Sequence, residues 1–172
     1  AYFSDIRDTN HFIRLLRGIN GCFSIIVNNN SKTYIAVDIV RSIPLFFSKQ
    51  NNKFIVSDSS ESLKKITGIK TINPLSSVEF QHTGYVTLSH TLFDQIYQIQ
   101  AGECIVVDQS EKRIKINRFR YYDFLHKVFD NSDNFDFLSL LEKSITNVFS
   151  RLHQTTINKT LVVPLSGGLD SR

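Results

Sequence analysis

Three times in its first 120 residues the chain runs apolar, breaks at a short polar turn and runs apolar again. Cys22–Val27 and Thr33–Asp38 flank Asn28–Ser31; Pro44–Ser48 and Lys53–Ser57 flank Gln50–Asn52; Glu103–Asp108 and Arg113–Ile116 flank Gln109–Glu111. Asn, Ser and Gln suit such turns because their short polar side chains satisfy turning backbone locally. Each pair therefore reads as a β-hairpin. Short helices are interspersed. Asp8 or Thr9 can cap one that runs to Arg17, with Phe12, Ile13, Leu15 and Leu16 on its apolar side and Gly18 closing it. Ser60–Ile66 reads as a second, ending at Gly68, and Pro74–Gln81 as a third. Sequential hairpins with short helices imply an α+β class.

Composition narrows the function classes. Hydrophobic residues make up 41% and charged residues 21%, with 14 Phe and 6 Tyr, which supplies a core and excludes disorder. No apolar run approaches the roughly eighteen residues of a membrane-spanning helix. Cys22 and Cys104 cannot build a disulfide framework and lack metal-ligand spacing; each is expected inside a strand. That usage suits a reducing cytoplasm. Asn29-Asn30-Ser31 and Asn158-Lys159-Thr160 match the glycosylation pattern, but nothing else points to secretion. The net charge of +4 raises nucleic acid as a partner. The densest basic stretch, Lys112–Tyr122, reads instead as an antiparallel strand, with Ile114 and Ile116 inward and Arg113, Lys115 and Asn117 in water. Neither nucleic acid nor a membrane is expected as a partner.

The character changes after Tyr122. Asp130–Asn134 is a polar break, and Phe135–Leu152 follows with helical spacing: Phe137, Leu138, Leu141, Ile145, Val148, Phe149 and Leu152 recur at steps of three and four. Thr160–Leu165 reads as a short apolar strand that feeds Ser166-Gly167-Gly168-Leu169-Asp170-Ser171. Two domains are expected, residues 1–127 and residues 128–172.

The loop at Leu165–Ser171 carries chemistry. Without Cβ atoms, Gly167 and Gly168 let the backbone come close to an anion. Turning N–H groups ahead of a helix N-terminus suit phosphate oxygens, and Ser166 and Ser171 add hydroxyl donors. Asp170, an acceptor when ionised, is suited to Mg²⁺ or to a nearby N–H. The loop lacks the lysine of a Walker loop, so it suits attack at the α-phosphate with pyrophosphate leaving.

Val163–Arg172 resembles the PP-loop of the asparagine synthetase family. Further blocks follow that family's order. Leu16–Ile25 resembles its "L-x-G-x-F-A-F" strand, Ala36–Phe46 its "R-D-x-x-G-x-x-P-L-Y" segment and Phe54–Leu63 its "F-A-S-E-x-K-A-L". Thr91–Gly102 is similar to "T-L-F-x-x-I-x-x-L-P-P-G", and Arg120–Asp123 to "R-Y-W-D".

The resemblance implies a glutaminase domain of the N-terminal-nucleophile αββα type, here the later part of it, followed by the opening helix, strand and loop of an ATP-binding PP-loop domain. It implies a ligase that hydrolyses glutamine, adenylates a carboxylate such as aspartate and joins ammonia to it, with ATP and Mg²⁺ required and a homodimer as the assembly. Leu165, Ser166, Gly167, Gly168, Leu169, Asp170 and Ser171 would hold the nucleotide, with Asp170 on the metal. The family's N-terminal Cys nucleophile has no counterpart here, so no catalytic residue is assigned and the 172-residue chain alone is expected to be inactive. The absence of Met fits a piece of a longer protein. Asp8-Thr9-Asn10 stands too close to the following Gly-Ile-Asn-Gly to be the family's glutamine-site motif. Arg41 replaces a Gly and Gln100-Ala101 replaces Pro-Pro. Those departures leave open a related amide-forming enzyme, of the β-lactam synthetase or peptide cyclase kind, or a noncatalytic scaffold.

Overall fold

A computed structural model describes residues 2–3, 5–125 and 136–168. The chain forms two compact units, Ala1–Leu125 and His126–Arg172.

The first unit holds two antiparallel sheets. One has four strands in the order β1 (Ser24–Asn29), β2 (Lys32–Val37), β6 (Glu103–Asp108), β7 (Lys115–Arg120); the other has three, β4 (Lys53–Ser57), β3 (Phe46–Gln50), β5 (Tyr97–Gln98). The hairpins expected from the polar turns are the pairs β1–β2, β3–β4 and β6–β7. β5 is too short, at two residues, for alternation to show in the sequence. β7 begins at Lys115, later than expected, and runs on to Arg120.

Successive side chains on a strand point to opposite faces. On the central strands both faces are buried. Tyr34 and Ala36 of β2 and Cys104 and Val106 of β6 pack with Phe12 and Leu16 of helix α1 (Thr9–Arg17). Ile35 and Val37, with Ile105 and Val107, point the other way and meet Phe47 of the three-stranded sheet. That sheet turns its far side, Phe46 and Ile55, to Leu63 of helix α2 (Ser60–Thr67). The order is thus helix, sheet, sheet, helix. Each fully buried aliphatic side chain stabilises such a core by about 1.5–3 kcal/mol.

Local signals set the helix ends. Asp8 accepts the His11 amide at 2.7 Å and so starts α1. This capping role accounts for the carboxylate. Ser59 caps α2 through the Ser62 amide, and Gly68 ends it at φ +71°. Asn73 and Pro74 open α3 (Pro74–Thr83), two residues longer than expected.

Cys104 is buried in β6 as expected, but Cys22 is exposed and precedes β1. The strand starts late because Gly21, at φ +133°, keeps the chain turning. The basic side chains of β7 have partners within the chain. Arg118 grips Glu103 with two bonds of 2.6 and 2.9 Å, Lys115 pairs with Glu111, and Arg120 with Asp123.

The second unit contains helix α4 (Phe137–Thr156), which Asp136 caps through the Ser139 amide. Its apolar side chains, including Leu141, Ile145, Val148 and Leu152, are exposed. Thr160–Leu165 does not form the expected strand: among the described residues it pairs with none and is exposed. A strand of that length has no stability without a neighbouring strand. The expected break at Asp130–Asn134 and the first residue of the expected helix, Phe135, lie outside the described residues. No helix among the described residues is long and apolar enough to cross a membrane.

Gly102 sits where the ends of β2, β6 and β7 meet. Its φ is +67°, and a Cβ there would collide with the carbonyl oxygen of Tyr122. Gly102→Ala should therefore destabilise the unit by at least ~2 kcal/mol. Urea unfolding would check this, and a loss under ~0.5 kcal/mol would contradict it.

Candidate functional site

The nucleotide-loop candidates are only partly described. Leu165, Ser166, Gly167 and Gly168 are exposed, and the chain bends at the two glycines. A Cβ on Gly167 would meet nothing within 4 Å, and one on Gly168 would stand 3.5 Å from Ser166 Oγ. The structure therefore brings Ser166 and Gly168 together and leaves the Gly167 backbone approachable. Leu169, Asp170 and Ser171 lie outside the described residues, and with them the expected metal ligand. A hydroxyl and glycine amides are donors of the kind that phosphate oxygens accept from. Among the described residues, no three of His, Cys, Asp and Glu gather as a metal would need.

In the first unit the polar chemistry collects at one end of the four-stranded sheet. Its hub is Asp38, directly after β2 and 1% exposed. Its carboxylate accepts the amides of Phe23 and Val40 at 3.0 Å, the Ser42 amide at 3.0 and 3.2 Å, and the Ser42 hydroxyl at 3.2 Å. Burial is the largest single influence on Asp38 and pushes its pKa up. The three amides and the hydroxyl together outweigh it, and the carboxyl is held below its ordinary value. The Asp38 carbonyl accepts from Gly102 and Arg41, and the buried Tyr121 hydroxyl donates to the Val37 carbonyl at 2.7 Å. Burial, then the neighbouring Asp38, raise the Tyr121 pKa, so its hydroxyl stays protonated.

Two of the cavities around this hub flank the loop that follows Asp38. One, of about 240 Å³, is bordered by Asn20–Phe23, Asp38, Val40 and Ser42, and exposed Cys22 lines it. The other, of about 410 Å³, lies beside α2 and is bordered by Arg41, Phe46, Ser60, His90 and Gln98 among others. The loop Asp38–Ser42 runs between them. Arg41 in that loop has φ +58°, a left-handed conformation that costs a side-chain-bearing residue about 1–2 kcal/mol.

Neither cysteine is a ready nucleophile in this arrangement. The Cys104 thiol is pushed up to about 12 by burial and by Glu103 beside it, so it stays protonated and inert. Cys22 sits on a surface with Asp38 nearby but no basic side chain on its cavity wall.

The Asp38 segment matches the resembled pattern as a block, which by itself gives Asp38 no role. The signal was there: a carboxylate ending an apolar strand must find donors or not be buried. Arg41 stood out as a departure from the Gly of the resembled pattern, and its left-handed backbone now explains why Gly suits that position.

Because the folded pKa of Asp38 is lowered, its stabilisation is complete above the unfolded value near ~4 and is lost as pH falls through the folded value. Asp38→Asn should thus cost about 2 kcal/mol at pH 7, and the gap from wild type should shrink below about pH 4. Urea unfolding across a pH series measures this. A gap that widens on acidification would contradict it.

One comparison places this unit among known proteins. A family model described as "Glutamine amidotransferase domain" matches residues 11–122, which takes in both sheets and the Asp38 hub and ends before α4. No curated protein matches the chain.

Proposed function

The chain belongs to the glutamine amidotransferase domain family, and from that premise we propose that it serves an ATP-dependent amidotransferase of the asparagine synthetase type. The family itself implies glutamine-dependent amidotransfer in general. The finer reading rests on one observation above the others: the matched domain is followed, within the same chain, by the Leu165–Ser171 loop, whose residues suit pyrophosphate. In this reading the helix, sheet, sheet, helix order of the first unit is the N-terminal-nucleophile sandwich of a glutaminase.

The reaction has two halves. Glutamine is hydrolysed to glutamate and ammonia. A carboxylate, aspartate first among candidates, attacks the α-phosphate of ATP, and pyrophosphate leaves. Ammonia then attacks the activated acyl carbon, and AMP leaves as the amide forms. Gly167 and Gly168 bind the departing pyrophosphate through their amides, and Ser166 and Ser171 add hydroxyls. Leu165 and Leu169 border the nucleotide. Asp170 would hold Mg²⁺, whose charge would offset that of the phosphates.

A second reading is favoured by Arg41 and by Gln100-Ala101, where the chain departs from the asparagine synthetase pattern. It keeps the adenylation step and changes the acceptor, closing an amide on an internal amine.

ATP–pyrophosphate exchange on the protein expressed from its natural gene tests the proposal. Exchange should depend on added aspartate, and Asp170→Ala should lower it at least ~100-fold. Exchange with other carboxylates and not with aspartate would move the assignment to the second reading. No exchange with any carboxylate would overturn both.

A further inference from the structure

The larger cavity, about 410 Å³ beside α2, has no part in the reading above, yet it is bounded by an arginine held under two kinds of strain. The Arg41 backbone lies at φ +58°, where glycine is at ease and other residues are not. Its Nε is buried and has no hydrogen-bond partner. Its guanidinium carbon stands 5.3 Å from the centroid of the Phe46 ring, so the charged head rests on an aromatic face. A strained backbone and an unmet charged donor at one residue point to a use for that residue.

The walls say what kind of ligand it would meet. Gln98 spends its amide N–H groups on the Val86 and Leu88 carbonyls, at 3.3 and 2.8 Å, and Thr91 donates to the Ile96 carbonyl at 2.7 Å. These polar groups hold the wall and are not offered to a ligand. The cavity's one acidic residue, Glu61, is paired with Lys64 at 3.7 Å, and the Lys64 ammonium sits 4.5 Å from the Phe93 ring centroid. The helix α2 begins at Ser60, on the cavity wall, so the positive end of its dipole borders the same space. Phe80 and Tyr85 complete a largely aromatic lining.

We propose that this cavity binds a small organic carboxylate with a flat apolar body, the carboxylate accepting from the Arg41 guanidinium and the body lying against the aromatic walls. A bare phosphate fits less well, because Arg41 is the one arginine on the wall and the rest of the lining is mostly apolar. The site is distinct from the Asp38 cavity and from the nucleotide loop.

Titration of the full chain with phenylacetate, followed by ¹H–¹⁵N NMR or calorimetry, tests the proposal. 2-Phenylethanol supplies the same body without charge, and inorganic phosphate supplies charge without the body. Wild type should bind phenylacetate saturably and bind each control at least about tenfold more weakly. Arg41→Gly should weaken phenylacetate about tenfold or more while unfolding at the same or a higher temperature, since φ +58° suits glycine. Arg41→Lys, which keeps the charge, should bind between the two. No saturable binding to wild type would overturn the proposal, as would equal affinity in Arg41→Gly or a phosphate affinity matching that of phenylacetate. Should Arg41→Gly fail to fold, affinity in Arg41→Lys equal to wild type would count against a role for the planar guanidinium, and weaker affinity would support it.

Discussion

The pairing of β2 with β6 is the constraint on which the first unit depends. Ile35 stands opposite Ile105 and Ala36 opposite Cys104, and all four are fully buried. One face of this pair carries α1 and the other carries the second sheet. A slip of one residue would exchange the two faces wholesale, turning Tyr34 toward the inter-sheet core and Ile35 toward α1. The packing of both layers therefore fixes a single register.

That register also determines where polar chemistry can exist. With Val37 buried at the end of β2, the next residue must enter the loop from inside the core, and Asp38 does so as a carboxylate. The unit meets the cost by converging three amides and a hydroxyl on it. Gly102 and Tyr121 join from β6 and β7 through the Asp38 and Val37 carbonyls. Arg17 reaches across from the end of α1 to the Tyr121 carbonyl at 3.0 Å. One end of the sheet is thus tied together by backbone groups, and both cavities open beside that knot. Arg41 takes its left-handed turn because Asp38 holds the residues on either side, Val40 and Ser42, by their amides.

Much of this was legible in the residues. Polar turns between apolar runs located the hairpins because such turns satisfy their own backbone. Asp8, Ser59 and Asn73 marked helix starts by ordinary capping chemistry. What escaped had physical reasons. Two-residue β5 has no periodicity to read, and it exists because Phe46 and Phe47 of β3 pair with Gln98 and Tyr97. Cys22 looked like strand interior because its neighbours are apolar, but Gly21 delays the strand. The apolar run Thr160–Leu165 looked like a strand, yet strands are made by neighbours and it has none among the described residues. For the candidate site, the Leu165–Ser171 loop was legible through its glycine and hydroxyl chemistry and its resemblance to a PP-loop. The Arg41 cavity could not be read at all, since its walls come from segments far apart in sequence, such as Phe46 and Phe93.

The central claim is that nitrogen moves from glutamine to a carboxylate at the expense of ATP. Amide-¹⁵N glutamine, ATP, Mg²⁺ and aspartate, incubated with the protein expressed from its natural gene and followed by ¹⁵N NMR, tests that claim most directly. The account predicts ATP-dependent appearance of ¹⁵N in a new side-chain amide. Label that stays in glutamine, with no new amide formed from aspartate or any other carboxylate offered, would contradict it.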